Sequence, residues 1–272
     1  MTRQLPRIAA TLLCDPWLIR TQVHRELVSQ FRAHLSRPEP QNLGILPAGP
    51  DQKTNTLQIL GHLGVIGVHG IIGRHLDGLE TMCGGVDISE TQKQLRAAQA
   101  NDNVEIVVMD FRSPGGVATG VHELAKVIRE VAAEKPVLAY VNGDACSAAY
   151  YLAAACDSIV ADPAAYVGSI STILALVDDT RAWEMEGLEL KLFRSGSLKG
   201  IGISGKEITE EESAHLEERV MNIDLEFKTF IRDRRGLSDQ QMQGQTWLAK
   251  EVSGDLVDGF AENLEEFLAS LQ

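Results

Sequence analysis

The residues whose types could do chemistry gather in two motifs. Ser147 follows an apolar run at 136–141 and the turn-rich Asn142-Gly143-Asp144-Ala145-Cys146, and directly precedes the small-residue run 148–155. Upstream, Ser113-Pro114-Gly115-Gly116 ends the apolar run 104–111. A serine that attacks an amide needs its oxygen exposed at a turn, with N–H donors waiting for the negative charge that develops. Gly115 and Gly116 offer amides with no side chain in the way. The Ala148 amide, at the start of a helix, offers another. One such donor contributes about 3–4 kcal/mol of transition-state stabilisation. Taken singly, Ser-Pro-Gly-Gly is an ordinary turn and Ser147 an ordinary N-cap. Together, on adjacent βα units, they point to acyl transfer.

A serine hydroxyl also needs a base, and a His–Asp pair is the usual first choice. None of the seven histidines stands in a context resembling a triad. His122 falls early on an amphipathic helix, and His69 follows an apolar strand where core and cleft are both open. No HxxxH or HxH spacing supports zinc. The other option is a lysine held neutral by burial. Lys199 is the candidate, because glycines on both sides let the backbone turn it inward; Lys206 is the next one along. Cys146, beside the serine, is a rival nucleophile, although a buried thiol is the commoner use of such a residue.

These groups must be positioned by a parallel sheet. The apolar runs 104–111, 136–141 and 158–161 read as strands, and 119–134 as an amphipathic helix between the first two. Strand, helix, strand, helix, strand implies right-handed parallel crossovers. Residues 57–63 and 64–70 read as strands opening this domain, and 86–100 as a helix. Residues 73–85, polar and glycine-containing, are expected to be a mobile loop. Later, 181–187 reads as a helix, 188–193 as a strand and 194–200 as a glycine-punctuated loop. Thr209 with Glu212 forms a capping box, opening a helix with Leu216, Val220, Ile223, Phe227 and Phe230 inward. Ser238 with Gln241 caps a further turn, and 261–271 closes the chain as a short amphipathic helix. Before the domain, Leu12, Leu13, Trp17 and Ile19 are expected anchors, 23–35 a helix and 37–50 a Pro/Gly-rich linker. The division is therefore an N-terminal arm and linker at 1–56 and one domain at 57–272.

The chain has 272 residues, enough for a sizeable core, with 44% hydrophobic and 23% charged residues. A formal net charge of −13 argues against nucleic acid and anionic membrane as partners. No apolar run approaches the roughly 20 residues of a membrane helix, and no h-region of a signal peptide is seen. The four cysteines lack CxxC spacing and read as free thiols of a reducing cytoplasm. No cofactor or metal is expected.

The motif set resembles the signal peptide peptidase A family, serine–lysine proteases on the Clp/crotonase fold. It comprises Ser113-Pro114-Gly115-Gly116, Asp144-Ala145-Cys146-Ser147-Ala148-Ala149, Val167-Gly168-Ser169-Ile170, Ser195-Gly196-Ser197-Leu198-Lys199 and Leu256-Val257-Asp258-Gly259. The opening Leu5-Pro6-Arg7-Ile8-Ala9 and the Ser-Gly-Ser-x-Lys form are more similar to the phage and prophage branch, the minor capsid proteases that process head proteins. The resemblance implies an α/β fold of stacked βαβ units, a mostly parallel sheet flanked by helices. It implies Ser147 as nucleophile, Lys199 as general base, Gly116 as an oxyanion-hole amide and Ser169 as the hydroxyl that steadies the lysine amine. It further implies an ATP-independent endopeptidase acting on peptide or unfolded protein, a homo-oligomeric ring, and phage head or scaffold proteins as partners. The apolar positions from Trp247 to Leu271 are the expected ring contacts. Two departures stand out: Ala149 where many members have glycine, and Phe111-Arg112 before the glycine turn where aspartate or asparagine is common. A crotonase-type acyl-CoA enzyme and a non-catalytic capsid- or portal-associated protein are the alternatives.

Overall fold

The computed structural model describes residues 15–35, 55–76, 80–81 and 84–272. Leu12, Leu13, the Leu5–Ala9 motif and the whole 37–50 linker therefore lie outside the described residues, as do 77–79 and 82–83 of the loop expected at 73–85. The described ends of that loop are strands: β4 (Ile71–Gly73) pairs in parallel with β5 (Gly85–Asp87).

The main sheet grows from its most apolar strands. β3 (Leu63–His69), β6 (Ile106–Ser113) and β8 (Val137–Cys146) lie side by side in parallel. Their cores are buried on both faces, as continuous Val/Ile runs require. β9 (Ser158–Ala161) pairs with the first half of β8, and β10 (Tyr166–Gly168) with its last residues. Antiparallel strands finish the sheet: β2 (Gln58–Leu60) beside β3 and β11 (Thr246–Leu248) beside β10. β12 (Gly259–Phe260) joins β9 in parallel. One face is covered by α2 (Ile88–Ala100), α3 (Val121–Ala132) and α4 (Ala148–Ala155). The Ala-rich α4 is wholly buried, because small side chains let its backbone settle close to the strands. The body is thus mixed α/β, mostly parallel and flanked by helices, the arrangement expected of the resemblance.

A second sheet has four strands, in the order β1 (Trp17–Ile19), β7 (Gly115–Val117), β4, β5. β1 runs antiparallel to β7, with Leu18 opposite Gly116. It leads into α1 (Thr21–Leu35), whose Val23, Leu27 and Val28 pack with Trp17, Ile19, Val117 and Ile173. The two expected anchors Trp17 and Ile19 are buried.

One expectation fails beyond the core. Residues 188–193 form no strand, although apolar and polar side chains alternate there; a strand needs a partner edge, and none among the described residues meets it. Instead, α5 (Thr180–Met185) and the following loop carry Met185 at 83% exposure and Phe193 at 93%. Of the apolar positions from Trp247 onward, expected as ring contacts, some are spent within the chain, while Phe260 stays exposed. Trp247 packs on the main core, and Phe267 of α7 (Leu264–Ala269) stacks on Tyr140 at 5.3 Å. Further exposed apolar side chains lie on the segment from α5 onward and on α6 (Glu210–Arg235), where Met221 and Leu225 are exposed. Of the inward positions expected on α6, Phe227 is buried, and Leu216, Val220, Ile223 and Phe230 are half-covered. Its capping box at Thr209 and Glu212 forms as expected.

Candidate active site

Ser147 is the single residue between β8 and α4, and its backbone is strained. Its φ of 56° and ψ of −116° belong to a region that side chains rarely adopt. Such a turn lifts a side chain clear of both strand and helix, as nucleophile elbows do. Ser147 is completely buried, and its Oγ has no hydrogen-bond partner among the described residues. An unbonded buried hydroxyl is unfavourable by about 1–3 kcal/mol, so fold stability does not account for its presence. The Ser147 amide donates to the Gly168 carbonyl at 2.7 Å. That bond, with Cys146 opposite Gly168 in the β8–β10 pairing, brings Ser169 alongside Ser147. Ser169 is also buried and also at positive φ, 54°. Ala148 opens α4, so its N–H belongs to the first-turn donors a helix leaves unpaired.

The glycine turn is placed as expected but is not free. A bulge between Phe111 and Ser113 swings the end of β6 toward Ala145. The Gly115 amide donates to Ser113 Oγ at 3.2 Å. Gly116 is held so tightly that an added Cβ would lie 1.9 Å from the Ile72 carbonyl oxygen. On its other side it faces Leu18 of β1. The expectation of two open amides is corrected by this chain's own strand and hydroxyl.

Lys199 is not joined to Ser147 in the single chain. The expected inward fold of 195–200 does not occur: Lys199 is exposed, and its backbone is held by Gly196 and by Arg194, which donates to its carbonyl at 3.2 Å. Among the described residues no carboxylate pairs with its amine. The loop turns outward because its charged neighbours are tied elsewhere. Arg194 and Lys206 both bind the buried Glu212 carboxylate, the first at 2.7 Å. Hydrogen bonds from Lys206 and then Arg194 hold that carboxyl down at about 2. Lys206 is thereby committed to an ion pair and is a poor second choice of base.

The other titratable candidates fall away on geometry. Burial, then the nearby Asp144, push the Cys146 thiol far up, so it stays protonated and weakly nucleophilic. His122 bonds the Tyr151 hydroxyl at 3.1 Å. His69 does form a His–Asp pair, 2.7 Å from Asp110, which the sequence reading missed because strand register is not written in the sequence. That pair faces a cavity of about 140 Å³ shared with Leu264 and Leu268, on the side of the sheet away from α4. Arg112, the departure noted before the glycine turn, lies 3.6 Å from Asp110 on that same side. Among the described residues no cluster of ligating side chains could hold a metal ion, and no helix is long and apolar enough to cross a membrane.

The fold and the buried serine turn define the class: a mixed α/β protein whose residues 129–260 match the model of peptidase family S49. The matched stretch holds Ser147, Ser169 and Lys199, and it bears out the resemblance read from the motifs. Among relatives, head-tail preconnector protein GP5 of Enterobacteria phage P21 is 25% identical over 97% of this chain and 56% of its own length. Capsid assembly protease C of Escherichia phage lambda is 28% identical over 71% of this chain and 44% of its own length. Protease 4 of Salmonella typhi is 25% identical over 76% of this chain and 33% of its own length. The chain thus spans about half the length, or less, of the curated relatives it matches.

Proposed function

We propose that this protein is a serine endopeptidase of the phage head-protease kind, acting on extended peptide segments of head or scaffold proteins without ATP. Ser147 attacks the scissile carbonyl. The N–H groups of Ala148 and of the Gly115-Gly116 turn receive the oxyanion, once Ser113 and β1 release the latter. Lys199 takes the serine proton, and the Ser169 hydroxyl steadies its amine. The observation that carries this reading is Ser147 itself, a fully buried serine at φ 56° whose Oγ lacks a partner among the described residues, on a strand-to-helix turn.

Delivery of Lys199 is assigned to assembly. The segment that carries it exposes Met185, Leu188 and Phe193, apolar surface that a homo-oligomer would cover. A ring built on these residues, with the arm at 1–56 and the body at 57–272, adds to the contacts expected at 247–271. The test is cleavage of an unfolded protein such as casein. Wild type is expected to cleave it and Ser147→Ala to leave it whole; cleavage by both at the same rate would overturn the assignment.

A further inference from the structure

The edge of β7 beside the serine turn is already taken. β7 has β4 on one side; on the other, β1 pairs with it antiparallel, Leu18 opposite Gly116. Without β1 that edge would be open at the glycine turn, the kind of edge to which an extended peptide adds as a strand. β1 is also clasped from its far side. Trp17 donates to the Ile173 carbonyl at 2.7 Å, and Ile173 donates back at 3.0 Å. One wall of this slot therefore follows Ser113 and the other follows Ser169.

The seating is deep. Trp17, Leu18 and Ile19 are all buried. Leu18 joins the main core cluster, which includes Ala145 and Ala148 on either side of the nucleophile. Its carbonyl oxygen lies 2.2 Å, and the Cys146 carbonyl oxygen 2.9 Å, from the point where a Cβ on Gly115 would sit. β1 thus reaches the backbone immediately before Ser147. Beyond it the Arg20 amide donates to Pro114 at 2.8 Å, and its guanidinium meets Asp144 at 3.4 Å and lies over the Tyr166 ring.

We propose that residues 17–20 are a substrate-like strand bound in cis. They hold the place of an extended peptide with an aliphatic side chain flanked by apolar neighbours, and a substrate of that class must displace β1 to reach Ser147. This rests on the serine-peptidase reading and adds its substrate class and its regulation.

The test uses the full chain with Trp17→Cys and Ile173→Cys. The two residues exchange both backbone bonds, so their Cα atoms stand about 5.5 Å apart, within disulfide reach. The readout is the rate at which a fluorophosphonate adds to the intact protein. The oxidised form is expected to label at least tenfold more slowly than the reduced form, with reduction restoring the rate. Leu18→Asp, which cannot seat in the core, is expected to label at least tenfold faster than wild type. A synthetic Trp-Leu-Ile-Arg peptide should slow that variant again. Equal rates in the oxidised and reduced double variant would overturn the gating role while leaving the serine reading intact. A Leu18→Asp rate unmoved by the peptide would overturn the substrate likeness. Should Leu18→Asp not fold, the disulfide comparison decides alone. Absence of any adduct in every form, Leu18→Asp included, would remove the serine reading and this inference with it.

Discussion

Replacing Ser147 by alanine should raise stability while removing activity. The buried Oγ has no partner among the described residues, and the folded chain carries that desolvation without return. An unsatisfied buried hydroxyl is unfavourable by about 1–3 kcal/mol, and alanine keeps the Cβ and the packing. Ser147→Ala is therefore expected to gain about 1–2 kcal/mol. For a domain of this size that corresponds to roughly 2–8 °C in Tm. Ser147→Gly should gain as well, since φ 56° with ψ −116° is strained for any side chain by about 1–3 kcal/mol. Its greater unfolded-state entropy offsets up to about 1 kcal/mol of that gain. The assay is urea denaturation of the three proteins at one protein concentration, with the slope m unchanged. A loss of more than about 1 kcal/mol in Ser147→Ala would refute the reasoning, because it would mean that the hydroxyl is bonded in the folded protein.

Three further outcomes are expected. Lys199→Ala should lower kcat/KM at least a hundredfold, the lower end of a general base's contribution, with little change in stability because the side chain is exposed; Lys199→Arg should be equally inactive, since guanidinium does not deprotonate. Glu212 has its carboxyl depressed from 4.5 to about 2, so the stability it contributes is present above its unfolded value and lost as pH falls toward 2. Fluorescence of Trp183, bonded to Ser204 on the segment from α5 onward, should change across that acid window; Glu212→Gln should reduce the change, and the part left should follow Asp179, whose carboxyl is also held low, by the Gly205 amide and then the Ser204 hydroxyl. Gly116→Ala should weaken the β4–β7 contact and abolish activity, since its Cβ would strike the Ile72 backbone; a fully active, equally stable variant in a peptidase assay and a thermal melt would count against the placing of that turn.

The parallel core was legible because its strands are apolar along their whole length and its helices keep a 3.6-residue period. β6, β8, β9 and α3 fall within a few residues of where the runs place them. Ser147 was legible for a related reason: a serine between a strand run and an alanine-rich helix has few structural uses. Pairing was not legible. The Asp-Pro-Trp-Leu-Ile stretch gives a strand no more signal than any short apolar triplet, and nothing in it says that β7 is its neighbour. The His69–Asp110 contact depends on register in the same way. The 188–193 stretch misled because alternation marks a strand only when an edge is available to pair with it. The inward turn of the Lys199 loop misled because glycines permit such a turn without requiring one, and Glu212 anchors the neighbouring charges outward.

Every step proposed above depends on Ser147 being an activated nucleophile. The most direct measurement is the residue that carries the adduct after fluorophosphonate treatment, mapped by tandem mass spectrometry of the proteolysed protein. One adduct per chain is expected, on Ser147, and none on Ser147→Ala. An adduct on another residue, or one of equal extent in Ser147→Ala, would contradict it.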